Sequence, residues 1–197
     1  MLLRPSGDGT LKAAIVDQLQ LTSPNPEFAT DATALLEGNG YQVDYYPGED
    51  VTVDLYRTLP KRGYDLVILR VHSTAEISRG DEAVKSISLF TNEAYDKIQY
   101  YEEQAAGRVG FASYKEGGPR YFGITSGFIT DSMEGNFDGA VVLMMGCQGL
   151  VNEKAAEAFT DKGARNFIGW DGLVSADHTY EATQMLLREL VVNRATP

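Results

Sequence analysis

Two short runs of almost unbroken apolar residues constrain this chain more than any other feature. Residues 64–71 read YDLVILRV and residues 140–145 read AVVLMM. A strand with one wet face alternates apolar and polar side chains, whereas a strand covered on both faces does not. Runs this short, closed by a polar residue or glycine, predict central strands of a parallel sheet. Parallel neighbours need long crossovers, usually helical, and the rest of the chain supplies them.

Residues 11–16 predict a first strand with Asp17 at its exit. Phe28, Ala32, Leu35 and Leu36 then recur with helical spacing, and Gly38 and Gly40 offer a left-handed stop. Residues 41–46 predict a second strand, closed by Pro47 and Gly48. Val51, Leu55 and Leu59 mark a short helix that ends at Pro60. Residues 87–105 read as helical, and 109–114, 121–125 and 128–130 as hairpin strands around Glu116-Gly117-Gly118-Pro119. Residues 152–160 predict a helix facing the sheet with Ala155, Ala156 and Phe159, and residues 166–170 a strand. A last helix starts near Asp177 and carries Thr183, Leu186, Leu187 and Leu190 on one stripe. The expectation is an α/β fold of three layers: a mainly parallel central sheet, helices on both faces, and a small antiparallel hairpin insertion.

The 197 residues fit one domain, expected over residues 11–197. Residues 1–10 form a linker or boundary whose Ser6-Gly7-Asp8-Gly9 has no strand before it to make a phosphate loop. Residues 1–5 break too early for a signal-peptide core, and an excised domain of a longer protein is the expectation. A net charge of −11 argues against nucleic acid or an anionic membrane as partner, and no apolar stretch is long enough to span a bilayer. The single cysteine rules out an internal disulfide, so redox logic leaves the compartment open.

Open α/β sheets gather their chemistry at the carboxyl ends of the strands. Asp17, His72, Cys147 and Asp171 all stand at such ends. Cys147 follows the most apolar strand and precedes Gln148-Gly149 and a helix, whose positive end would favour thiolate. His72 leaves the other apolar strand, where a neutral imidazole could take the thiol proton and later protonate a leaving amine. The bland alternatives are a small buried cysteine and a strand-capping histidine. His178, the second histidine, reads as a surface or capping residue of the last helix. Asp131, Glu134 and Asp138 lack a calcium-loop pattern and read as a solvated loop, so no metal or other cofactor is expected.

The blocks DLVILRVHS and AVVLMMGCQG resemble those of the caspase-like (clan CD) cysteine peptidases, nearest the gingipain, clostripain and CHAT branch. In that family an apolar strand ends in His-Gly and a later one in Ala-Cys or Gly-Cys. Here His72 precedes Cys147 by 75 positions, and the resemblance covers residues 11–190. It implies an endopeptidase acting on peptide or protein substrates through a His72–Cys147 dyad and an acyl-enzyme. The backbone N–H groups of Ser73 and Cys147 would hold the oxyanion. It also implies that Asp17, Trp170 and Asp171 line a pocket for Arg or Lys before the cut, with self-processing at Arg79, Arg108, Lys115 or Arg120. The segment NFIGWDGLV carries that part of the likeness. Ser73 departs from the family's glycine, and Met145 stands where clostripain and metacaspases place aspartate.

Three other readings fit the same residues. An amidotransferase- or ThiJ-like enzyme would use Cys147 with His178 and Glu181. A caspase-like binding module would keep the fold without the activity. A flavodoxin-like nucleotide domain would need the phosphate loop that is missing from the sequence.

Overall fold

The two apolar runs lie side by side in the computed structural model, which describes residues 9–77 and 84–193. They form β3 (Leu66–Arg70) and β8 (Val141–Met144), the third and fourth strands of a five-stranded sheet. The other three are β1 (Leu11–Asp17), β2 (Tyr41–Tyr46) and β9 (Asn166–Ile168), and the order across the sheet is β2-β1-β3-β8-β9. Every pairing is parallel.

Alternation along the strands builds two cores. Ala13, Ile15, Leu66, Ile68, Val141, Leu143 and Met145 face one side, where α1 (Pro26–Glu37) and α6 (Ala176–Leu187) cover them with Phe28, Leu36, Tyr180 and Leu187. Ala14, Val16, Val67, Leu69, Val142 and Met144 face the other, against α2 (Val53–Thr58), α5 (Lys154–Asp161) and a second sheet. Side-chain caps fix where helices start: Asn25 accepts from the Phe28 N–H at 2.9 Å, Thr52 from Leu55 at 3.1 Å, and Ser175 from His178 at 3.3 Å.

The second sheet is antiparallel, in the order β4-β5-β7-β6, and built from β4 (Ser73–Ile77), β5 (Val84–Ala94), β6 (Val109–Ala112) and β7 (Tyr121–Ile124). The three-layer α/β architecture with a small antiparallel insertion is therefore present. Several local expectations are not. Residues 87–94 belong to strand β5, 95–100 form a connection, and only α3 (Tyr101–Ala105) is helical. Residues 128–130 are not a strand but lie in α4 (Ser126–Asp131), which buries Phe128 and Ile129. Gly40 takes the left-handed backbone at φ 88°, whereas Gly38 stays right-handed at −62°. The proposed 1–10 linker lies mostly outside the described residues.

Candidate active site

The register of β3 on β8 sets the geometry. Leu66 faces Val141, and Leu69 faces Met144. The pairing ends at Leu69 and Met144, and the same offset of 75 positions carried three steps further would match His72 to Cys147 at the carboxyl rim. The two exits run close together: a Cβ on Gly146 would lie 2.3 Å from the Val71 carbonyl oxygen and 3.0 Å from the Ser73 hydroxyl. The Ser73 hydroxyl donates to the Cys147 carbonyl, tying one exit to the other.

His72 is held from several directions. Its N–H donates to Gln18 Oε1 at 2.9 Å, and its C=O accepts from the Phe90 N–H at 2.9 Å. Nε2 lies 3.3 Å from Thr22 Oγ1. Among the described residues Nδ1 has no hydrogen-bond partner, which leaves it as the free nitrogen of the ring. The imidazole packs 4.9 Å from the Tyr114 ring and 5.9 Å from Phe90. Burial, and secondarily the Arg70 guanidinium, hold His72 below its ordinary pKa and so favour the neutral base.

Cys147 is half-buried on a turn. Its Sγ lies 3.5 Å from both the N–H and the C=O of Val174. Gln148 N–H donates to Gly172 C=O at 2.8 Å and Leu150 N–H to Trp170 C=O at 2.8 Å, so residues 170–174 are strapped against the cysteine turn. Among the described residues no hydrogen bond joins Sγ to either histidine. The helix expected directly after Cys147 begins only at Lys154, so the thiol does not sit on its first turn.

Both expected oxyanion donors are open. Because Phe90 N–H reaches His72 C=O, Ser73 and Leu89 form the non-hydrogen-bonded kind of antiparallel pair. The Ser73 N–H therefore points away from β5, on the outer side of edge strand β4. The Cys147 N–H has no hydrogen-bond partner among the described residues.

Asp17 corrects the sequence reading. It is 1% exposed, and its carboxylate accepts from Arg70 Nη1 and from the Tyr45 hydroxyl at 2.9 Å. Register explains this, since Asp17 faces Arg70 across β1 and β3. A carboxylate sealed against an arginine offers no counter-charge to a substrate, which removes the main support for a basic preference and for self-cleavage at basic residues. Of those, Arg79 lies outside the described residues, Arg108 pairs with Asp131 at 3.6 Å, and Arg120 stacks over Phe111. Trp170 is half-buried, donates its indole N–H to Thr179 at 3.0 Å and packs 5.1 Å from the His178 ring. Asp171 is exposed. The structure thus brings Trp170 and His178 together, while Glu181 lines a groove between α1 and α6 with Phe28 and Tyr180. Glu134 pairs with Lys61, and among the described residues no three His, Cys, Asp or Glu side chains gather as a metal-binding group. No helix among these residues is long and apolar enough to cross a membrane.

Three residues escaped the sequence reading. Gln18, fully buried, donates through Nε2 to Asn92 Oδ1 at 2.7 Å and to the Tyr114 hydroxyl, while its carbonyl oxygen holds His72. Asn92 Nδ2 donates to the backbone C=O of Gln18 and Gly48. The only sequence hint is a polar amide directly after a buried strand. No protein-family model matches this chain, and no curated protein sequence matches it either.

Proposed function

We propose that this chain is a cysteine endopeptidase that cuts peptide bonds through His72 and Cys147. The observation that carries this reading is that His72 and Cys147 leave the carboxyl ends of adjacent parallel strands whose exits are tied together by the Ser73 hydroxyl donating to the Cys147 carbonyl. In the cycle, Sγ leaves Val174 and passes its proton to His72 Nδ1. The thiolate then attacks the carbonyl carbon, and the N–H groups of Ser73 and Cys147 donate to the oxyanion. The C–N bond breaks, His72 returns its proton to the leaving amine, and water hydrolyses the thioester.

The contact of Sγ with Val174 favours a second reading, a binding module with the fold and no turnover. The amidotransferase-like pairing has less support, because the ring of His178 lies on Trp170 and has no hydrogen bond to Cys147 or Glu181 among the described residues. A degenerate peptide library, digested by wild type, Cys147→Ala, His72→Ala and His178→Ala and read by mass spectrometry, separates the three. The peptidase reading expects new peptide termini from wild type, none from Cys147→Ala, and a loss of about 10²–10⁴-fold for His72→Ala. Cleavage that survives His72→Ala but not His178→Ala overturns the dyad; a wild type that cuts nothing leaves the binding module.

A further inference from the structure

Beside His72, and not touching Cys147, lies an open hollow of about 510 Å³. The His72 imidazole and the rings of Phe90 and Tyr114 wall it, with ring centroids 4.9–5.9 Å apart. Thr22, Ser73, Thr74 and Ser113 add hydroxyl-bearing side chains to its lining, that of Ser73 being bonded to the Cys147 carbonyl. Among the described residues this lining includes no carboxylate, lysine or arginine. The Tyr114 wall is fixed rather than adjustable: its hydroxyl accepts from Gln18 and donates to Asn92 Oδ1 at 3.2 Å.

Resting on the peptidase reading, the position of the hollow has a consequence for the substrate. The acyl half stays on Sγ, and the amine half departs from the side where the imidazole gives back its proton. A depression lined by His72 and not by Cys147 fits the amine half better than the acyl half. We infer that it binds the side chain of the residue following the cut, and that it selects uncharged, hydrogen-bonding side chains: Ser, Thr, Asn and Gln. A charged side chain would lose water there without meeting a counter-ion, whereas an amide or hydroxyl can exchange water for the hydroxyls of Thr22, Thr74 and Ser113 and lay its carbons on Tyr114 and Phe90.

The test is to sequence the new N-termini released from a degenerate peptide library and to compare wild type with Tyr114→Ala and Tyr114→Phe. In wild type, Ser, Thr, Asn and Gln should exceed Asp, Glu, Lys and Arg at that position by about fivefold to tenfold, the effect of one hydrogen bond or one uncompensated charge. Tyr114→Ala should flatten this profile, while Tyr114→Phe, which keeps the ring, should retain most of it. Alkylation of Cys147 by iodoacetamide, which has no amine half, reports any change that the Tyr114 variants make to His72 itself, and the profile after the cut should flatten by more than the alkylation rate falls. New termini with a flat or charged profile in wild type overturn the subsite and leave the peptidase reading standing. Absence of any cleavage by wild type, with Cys147 alkylated no faster than a free cysteine, overturns both.

Discussion

Arg70 is fully buried on the middle strand of the sheet, and its charge is met by Asp17, the Ser23 carbonyl and the Tyr180 hydroxyl. Its Nε has no hydrogen-bond partner, so the site has no slack. Asp17→Asn should cost about 3–5 kcal/mol in urea unfolding, because a buried guanidinium is left uncompensated. Replacing both residues by apolar ones of similar size should recover much of that loss. His72 gives a second prediction. Its folded pKa is lowered, so the unfolded chain binds the proton more readily and acid favours unfolding. The contribution of His72 to stability is complete above the ordinary value of 6.5 and declines as pH falls toward the folded midpoint. NMR titration should find that midpoint below 6.5, and His72→Gln should unfold with a shallower dependence on pH across this window. The sequence placed His72, Ser73 and Cys147 at strand exits, because such exits can be read from apolar runs. It misassigned Asp17, because its partner lies 53 positions away and only the β1–β3 register reveals it. Gln18, Asn92 and Tyr114 were invisible for the same reason: they come from three separate stretches of the chain and share no pattern.

The strand exits of β3 and β8 form the element on which the site depends. Gly146 passes so near the Val71 carbonyl that no side chain fits. Gly146→Ala should therefore force the exits apart, cost about 1–3 kcal/mol by overpacking, and suppress Cys147 alkylation along with any cleavage. Gly149 is the matched control. The three atoms nearest its added methyl all belong to the Met144 side chain and none to backbone, so Gly149→Ala should be milder in both thermal unfolding and labelling. The antiparallel insertion was the least legible part of the fold. Residues 87–105 read as one helix, yet β5 runs to Ala94, pairing with β4 on one side and β7 on the other. Similarly, Phe128 and Ile129 looked like a strand, but both reach one core from a single helical turn. In each case tertiary burial outweighed local propensity.

Across the molecule, stability should be graded from the sheet centre outward. β1, β3 and β8 are buried on both faces and paired on both edges. Their amides should exchange only on global unfolding, while those of edge strands β2, β4, β6 and β9 exchange through smaller openings, as hydrogen-exchange mass spectrometry can resolve. The match of position 72 to position 147 belongs to that slow-exchanging centre and not to the chain that separates them. Hairpin tips and connections in the intervening stretch can be lengthened or shortened while the ladder between the two long-buried strands holds its alignment. The lineage of such a chain is accordingly free to remodel what surrounds a substrate without disturbing the atoms that would act on it.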